Sequence, residues 1–281
     1  MIKTGIITDE VSSDIRVAAA FAMRHGMSFA DIRSSENKGA FDLTKEDWEY
    51  LSAVCADHGL MIRCIDAPLF KCSFADRETV AFHVSAFRRL AEQAARIGCG
   101  MIRGFDFFAE DIGREQRAEA FLPIIETCRE TGTVCVLESD PSVHSSTATE
   151  LLTLLKTIES PYIKALFDPG NAFWVNPDAD CMSDYELLRG RARHIHLKDA
   201  VIRNGKTEAV CIGSGLAGYE KLLRRLAEDY DGGIAIETHY RKTGALNENQ
   251  LLMPGGSGFS DGAYEASEEC ADALNLLLMK G

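Results

Sequence analysis

The sequence has no run of about 18 consecutive apolar residues, the length that a membrane-spanning helix requires. Its first segment, MIKTGIITDE, reaches acidic side chains after an apolar stretch that is too short for a signal peptide. We therefore expect a soluble, cytoplasmic protein that does not engage a membrane.

Cysteine spacing gives no sign of a disulfide framework. The nine cysteines are an odd number, they lack CxxC spacing, and several lie in apolar segments such as VCVLE. A buried thiol in such a segment behaves as a small hydrophobic side chain. The pattern indicates a reducing compartment, in agreement with a cytoplasmic location.

Positive charge is scarce in this chain. Lys and Arg together number 30 against 43 Asp and Glu, which gives a formal net charge of -13 and a pI near 5.0. Such a charge repels nucleic acid and anionic membrane surfaces. We expect a small-molecule ligand and no nucleic-acid partner.

No linker, low-complexity tract or charge block divides the chain. Instead, one pattern recurs eight times: a short apolar strand, a polar loop and an amphipathic helical segment. The predicted strands are residues 4–8, 27–33, 60–66, 101–105, 134–138, 164–168, 194–199 and 233–237. The glycine-rich fingerprint of dinucleotide-binding folds is missing after the first strand. These features predict an α/β protein, a single-domain (β/α)₈ TIM barrel over residues 1–281.

Helix boundaries carry their own signals. Gly26, Gly59 and Gly98 each follow a helical pattern, where a left-handed residue commonly ends a helix. The segments TATE (147–150) and SDYE (183–186) have the spacing of a capping box and predict helix starts.

Four consecutive predicted strands carry an ionisable side chain at or near the carboxyl end. They are Glu138 on strand five, Asp168 on six, His196 on seven and Glu237 on eight. Active-site residues of a TIM barrel come from this end of the strands. A charge there costs desolvation energy unless it is paired, hydrogen-bonded or bound to a metal. Any one of the four alone is more often an ion-pair partner or a helix cap. Together, three carboxylates and an imidazole suit a hard or borderline divalent ion.

Two histidines lie at strand spacing in the segment RARHIHLKDA. Alternation places His194, His196 and Lys198 on one face of the strand, so depth must distinguish them. His196 is nearer the carboxyl end and is predicted to be a ligand, whereas His194 is predicted to be a satisfied interior histidine. Lys198 could bind a substrate oxygen or carboxylate, with a salt bridge to Asp168 or Asp199 as the alternative.

The segments GIITDEVSSD, ADIRS, IRGFDFF, FDPGNAFW, HIHLKDA and IETHY follow one another in an order and spacing that cover nearly the whole chain. In this they resemble the xylose isomerase-like superfamily of (β/α)₈ barrels, the sugar (phosphate) isomerases and epimerases related to tagatose 3-epimerase and hydroxypyruvate isomerase. The resemblance implies one divalent metal ion held by Glu138, Asp168, His196 and Glu237. Mn²⁺ is favoured, with Mg²⁺, Co²⁺, Zn²⁺ or Fe²⁺ as alternatives.

The activity that the resemblance implies is isomerisation or epimerisation of a sugar or sugar phosphate, with Glu138 and Glu237 as catalytic acid and base. One carboxylate would remove a proton beside a carbonyl, the metal would stabilise the enediolate, and the other carboxylate would return a proton. Asn171 falls where relatives carry a histidine or asparagine that contacts substrate. Asp140 departs from the family, because relatives often have a histidine there, and Ser214 stands where many have a glutamate.

Basic side chains at or just beyond strand ends complete the candidate site. Those that could orient a hydroxyl, carboxylate or phosphate are Arg33, Arg103, Lys198, His239 and Arg241, each with a structural ion pair as the alternative. The glycine-rich segment MPGGSGFSDG (253–262) predicts a flexible connection, with a lid or an anion-binding loop as alternatives.

Other functions remain open at this point. The same intermediate could expel a β-hydroxyl, which would make the protein a lyase or dehydratase acting on a sugar acid or inositol derivative. A catalytically inactive sugar-binding barrel is the non-enzymatic alternative. Endonuclease-IV-type enzymes share the superfamily, but their three-metal chemistry needs more histidines than this chain has, and the net charge opposes DNA binding. Pairing into a homo-oligomer through exposed helices or loops is a further expectation.

Overall fold

Eight parallel strands close into a barrel in the structure, a computed structural model that describes residues 2–256 and 258–280. The strands are β1 (Lys3–Ile7), β2 (Phe29–Ile32), β3 (Met61–Leu69), β4 (Met101–Gly104), β5 (Val134–Glu138), β6 (Ile163–Phe167), β7 (Ala192–Leu197) and β8 (Gly233–Ile236). Neighbours in sequence pair in parallel, and β8 pairs with β1. The predicted (β/α)₈ barrel is confirmed, and every predicted strand is present.

Helices fill the connections between the strands. They are α1 (Ile15–Arg24), α2 (Lys45–Asp57), α3 (Arg77–Ile97), α4 (Arg114–Glu119), α5 (Leu122–Thr131), α6 (Ala148–Ile158), α7 (Pro169–Val175), α8 (Cys181–Leu188), α9 (Tyr219–Asp229), α10 (Glu248–Leu252) and α11 (Ala263–Lys280), with a 3₁₀ turn at Thr8–Glu10. No helix within the described ranges is both long and apolar enough to cross a membrane.

The helix-boundary signals were right except at one helix. Gly26, Gly59 and Gly98 all have φ near +70°, as a left-handed terminating residue requires. The predicted capping box at Thr147 and Glu150 is confirmed. The second predicted capping box, 183–186, is wrong: α8 begins earlier, because Asp180 is its N-cap and accepts the backbone N–H of Met182.

Strand alternation fills the barrel interior in layers. Cys64, Val136 and Leu166 form a small apolar cluster that is separate from the larger core between strands and helices. The next inward positions of β5 and β6 are Glu138 and Asp168, two residues further along each strand. On β5 and β6 the lower inward positions are therefore apolar, and those at the carboxyl ends carry acidic groups.

Two antiparallel hairpins extend the carboxyl side of the barrel. One pairs Ser34–Ser35 with Lys38–Gly39, and the other pairs Asp199–Arg203 with Lys206–Val210. The glycine-rich segment predicted after β8 reaches the first hairpin, where the backbone N–H of Gly256 donates to Ser34 Oγ at 3.0 Å. Residue 257 of that segment lies outside the described residues.

Candidate active site and metal centre

The four predicted ligands meet at the carboxyl ends of β5 to β8. Glu138 is the last residue of β5, His196 lies in β7, and Asp168 and Glu237 directly follow β6 and β8. One ligand atom from each of the four side chains lies within 4.8 Å of those of the others. All four side chains are buried. Residues far apart in sequence thus converge on one point inside the barrel mouth.

The imidazole of His196 presents one nitrogen to this cluster. Its Nδ1 atom lies 3.6 Å from Oε1 of Glu138 and 3.6 Å from Oε2 of Glu237. The Nε2 atom points the other way, 3.7 Å from Oδ2 of Asp66. Neither ring nitrogen has a hydrogen-bond partner among the described residues. Nδ1 is therefore the ring atom placed to coordinate an ion, with Asp66 behind the ring.

Asp168 is held by the start of α7 and by a lysine. Its Oδ1 atom accepts the backbone N–H of Asn171 at 2.9 Å, which makes Asp168 the N-cap of the helix. Its Oδ2 atom lies 2.8 Å from Nζ of Lys198. A Cβ atom at Gly170 would lie 2.3 Å from the backbone oxygen of Lys198, so only glycine allows α7 to approach β7 this closely.

Glu138 is held from outside the cluster by an arginine and an amide. Nη1 of Arg103 lies 3.1 Å from Oε2 of Glu138, and Nη2 of the same guanidinium donates to the backbone oxygen of Asp66. The side-chain amide of Asn171 donates to Oε1 of Glu138 at 3.1 Å. Two residues predicted to contact substrate thus also position a predicted ligand.

Glu237 shares an arginine with two acidic residues of the β1 loop. Nη1 of Arg33 lies 2.8 Å from Oε1 of Glu237, and Nη2 lies 2.8 Å from Oε1 of Glu10 and 2.9 Å from Oδ1 of Asp9. His239 lies near the same group, with Nε2 3.4 Å from Oε1 of Glu237. For Arg33 the sequence analysis gave two alternatives, substrate contact and a structural ion pair. The structure shows the ion pairs.

The carboxyl groups of the cluster differ in acidity. Burial raises the pKa of Asp168 to about 7, because it outweighs the opposing effect of Lys198. Burial also acts to raise the pKa of Glu138, but Arg103 and His196 outweigh it and the pKa falls to about 2. The cluster lowers the pKa of Glu237 through Lys198 and raises that of the His196 imidazole through Asp66 and the two glutamates, in both cases against burial.

The donor set fits a divalent ion. Three carboxylates and one imidazole nitrogen are the ligands that hard and borderline cations take. The unpartnered nitrogens of His196 are buried polar atoms that such an ion and its outer partners would satisfy. Two neighbouring groups of ionisable residues also have internal ion pairs: His194 pairs with Asp31, and Arg33 bridges Glu10 and Glu237. In each group one buried ring nitrogen, Nδ1 of His194 and Nε2 of His239, has no hydrogen-bond partner among the described residues.

A cavity of about 560 Å³ opens above the cluster. The predicted site residues that line it are Arg33, Arg103, Glu138, Asn171, Lys198, Glu237 and His239. Asp168 and His196 are fully buried and do not appear on its wall.

Arg241 lies apart from this cavity. Its guanidinium donates to the backbone oxygens of Tyr240 and Phe259, and it lines a second cavity of about 890 Å³. Trp174 and His239 line both cavities. The structure therefore places Arg241 next to the site but not in contact with the cluster.

Sequence reasoning missed several acidic residues around the site, Asp66 and Glu10 among them. Asp66 ends the third predicted strand, so the same signal that drew attention to Glu138 could have found it. Glu10 lies in a 3₁₀ turn after β1, and nothing in the sequence pattern indicates that it pairs with Arg33.

A family model described as a xylose isomerase-like TIM barrel matches residues 19–263. The chain belongs to this family. No protein with a curated description matches it.

Similar solved structures cover the whole chain at low identity. L-ribulose 3-epimerase has a TM-score of 0.75 and 16% identity over 100% of this chain and 95% of that chain. The IolI protein with a bound zinc atom has a TM-score of 0.75 and 14% identity over 99% of both chains. The probable 3-DHS dehydratase AsbF from Bacillus anthracis has a TM-score of 0.70 and 18% identity over 98% of this chain and 99% of that chain. Likeness at these identities shows the fold alone.

Proposed function

We propose that this family member is a divalent-metal-dependent enzyme that isomerises or epimerises a sugar or sugar phosphate by proton transfer. The observation that carries the proposal is the position of Glu138 and Glu237, which flank Nδ1 of His196 at 3.6 Å each and both line the cavity. The similarity to an epimerase and to a protein with a bound zinc atom supports it.

Glu138, Asp168, His196 and Glu237 would hold the metal ion. Mn²⁺ is favoured, with Mg²⁺, Co²⁺, Zn²⁺ or Fe²⁺ as alternatives. When bound, the ion would polarise a substrate carbonyl and stabilise negative charge that develops on its oxygen. Asp168 and His196 lie behind the cavity wall, whereas Glu138 and Glu237 also reach the cavity.

The two glutamates would carry the proton transfers. They come from opposite ends of the β5 to β8 arc and therefore approach a substrate from different sides. One glutamate, as the carboxylate, would accept a proton from the carbon beside the carbonyl, and the other, as the carboxylic acid, would return a proton. If the proton returns to the opposite face of the same carbon, the configuration of that carbon is inverted. If it returns to the neighbouring carbon, an aldose and a ketose are interconverted.

Polar groups on the cavity wall would orient the substrate. Asn171, Lys198 and His239 line the cavity and carry donors suited to hydroxyl or phosphate oxygens. Arg33 and Arg103 line it too, although their ion pairs with Glu237 and Glu138 make positioning of those carboxylates their first role. Arg241 would contact only a substrate that extends into the second cavity.

A dehydratase acting on a sugar acid is the second candidate. Lys71 and Asp140 form an ion pair of 2.8 Å on the cavity wall, at the position where relatives often carry a histidine. Together with Lys198, Arg33 and Arg103, Lys71 gives the wall four Lys and Arg side chains that could accept a carboxylate. The similarity to a probable dehydratase supports this alternative.

Solvent isotope exchange separates these functions. Protein loaded with Mn²⁺ would be incubated in D₂O with a panel of ketoses, aldoses, their phosphates and sugar acids, and the products would be analysed by NMR. Deuterium at the carbon beside the carbonyl, together with a new epimer or isomer, supports the proposal. Loss of water from a sugar acid supports the dehydratase. Calorimetric sugar binding without exchange or product points to an inactive binding barrel and contradicts both enzymatic functions.

A further inference from the structure

We propose that the Lys198 ammonium is the resident counter-ion of the metal-free site and that a divalent cation must displace it from Asp168 and Glu237 in order to bind. The inference rests on the proposed metal site. It gives Lys198 a role before substrate binds, since the lysine would control the affinity of the site for its metal ion.

Lys198 contacts two of the four predicted metal ligands. Its Nζ atom lies 2.8 Å from Oδ2 of Asp168 and 2.5 Å from Oε2 of Glu237. That oxygen of Glu237 is also the one 3.6 Å from Nδ1 of His196. An ion bound by Nδ1 of His196 and by the carboxylates of Asp168 and Glu237 would compete with the ammonium for the same carboxylate oxygens. Two cations this close repel strongly in a buried site.

Lys198 is the principal neutralising partner of one ligand. In the described part of the chain it is the one cationic side chain that forms an ion pair with Asp168. Glu138 pairs with Arg103 instead, and Glu237 pairs with Arg33 as well as with Lys198. The Lys198 side chain is 4% exposed. Without an ion, a buried carboxylate needs such a partner.

The fold fixes the backbone of Lys198 at this position. The Tyr219 hydroxyl donates to the Lys198 backbone oxygen at 2.6 Å. The next residue, Asp199, accepts the backbone N–H groups of Ala200, Gly213, Gly215 and Ala217. The lysine side chain also lines the cavity, so an ammonium released from the carboxylates has space to turn toward a substrate oxygen.

Lys71 provides a matched control. It lines the same cavity, its side chain is also 4% exposed, and its Nζ atom lies 2.8 Å from Oδ2 of Asp140. Asp140 is not one of the four ligands. Replacing Lys71 therefore removes an ion pair of equal length from the same wall, although Asp140 is 14% exposed, without changing the neutralisation of the metal site.

The test compares the metal-free forms of wild type, Lys198→Met and Lys71→Met. Each would be titrated with Mn²⁺ at pH 8, and the free ion measured by electron paramagnetic resonance. We expect Lys198→Met to bind Mn²⁺ at least tenfold more tightly, about 1.4 kcal/mol, and its thermal midpoint to be lower without metal and to rise further with it. Lys71→Met should keep the wild-type affinity. Wild-type binding with unchanged or weaker binding by Lys198→Met overturns this inference but leaves the metal site intact. Binding by neither protein overturns the metal site and this inference with it.

A second measurement follows the ammonium in the wild-type protein itself. In ¹⁵N-lysine-labelled wild type, an ammonium held by two buried carboxylates should give a slowly exchanging ¹H–¹⁵N signal, which Lys198→Arg would identify by its absence. Saturating Zn²⁺, which is diamagnetic, should shift this signal or remove it. A signal that stays unchanged while Zn²⁺ binds would show that the ammonium is not displaced.

Discussion

Nε2 of His194 lies 2.5 Å from Oδ2 of Asp31, and both side chains are fully buried beneath the candidate metal site. The other oxygen of Asp31 accepts the backbone N–H of Cys64, at the point where the register between β2 and β3 shifts. His194 thus has an internal partner at the base of the site. His196 lies two residues further along β7, nearer its carboxyl end, and faces the three carboxylates. This difference separates the two histidines of β7.

Replacement of each histidine should give opposite results. We expect His196→Ala to lose the metal, because Nδ1 is the sole nitrogen in the ligand set, and His194→Ala to keep it. His194→Ala should instead lose stability, by about 3–5 kcal/mol, since the Asp31 carboxylate is left buried without its partner. Elemental analysis of gently purified protein measures the first effect, and denaturant unfolding the second. Metal retained in His196→Ala would refute the assignment of this ligand.

Glu237→Gln should remove most of the turnover. The amide keeps the shape of the side chain but cannot accept a proton, and loss of such a group costs roughly 10²–10⁴ in rate. Circular dichroism should show an unchanged fold. Glu49→Gln is a suitable control, because its side chain is 60% exposed and far from the ligand set in sequence. Near-normal turnover of Glu237→Gln on the true substrate would reject the proton-transfer role.

Metal affinity should rise with pH. In the metal-free site Asp168 has a pKa of about 7, so it is about half protonated at neutral pH, and the raised pKa of His196 favours its protonated form. An ion needs the ionised carboxylate and the neutral imidazole, and binding therefore releases protons. The Mn²⁺ dissociation constant should fall as the pH rises through 7, and calorimetry in buffers of different ionisation enthalpy should detect the released protons. An affinity that does not change between acidic and alkaline buffer would contradict the assignment of these ligands.

The convergence of the four strand-end residues could be predicted because a closed parallel barrel leaves little freedom. Once the strands and their order are known, alternation decides which residues face inward, and all carboxyl ends lie at one rim. The positions of Glu138 and Asp168 could be predicted without knowledge of the loops, since Glu138 ends its strand and Asp168 directly follows its strand.

Contacts made across the barrel or through loops could not be predicted in this way. Arg33 reaches Glu237 because β1 pairs with both β2 and β8, which brings the residues after β2 and after β8 close together. Whether the side chain contacts substrate or carboxylate depends on three-dimensional packing. Arg241 follows His239, which has φ of 43° and turns the chain after β8. A left-handed residue other than glycine is rarely visible in a sequence, so the displacement of Arg241 from the cavity was not foreseeable.

Gly170→Ala tests how closely α7 must approach β7. The added Cβ would lie 2.3 Å from the backbone oxygen of Lys198 and 3.1 Å from Oδ1 of Asp168, so the start of the helix must move. Since this helix start holds Asp168 in place, we expect a loss of about 1–3 kcal/mol in stability and weaker Mn²⁺ binding. At Gly100 a Cβ would meet nothing within 4 Å, and Gly100→Ala should change stability by no more than about 0.5 kcal/mol. Denaturant unfolding and Mn²⁺ titration of both variants measure the effects. If Gly170→Ala binds Mn²⁺ as wild type does, Asp168 does not depend on this close approach for its position in the site.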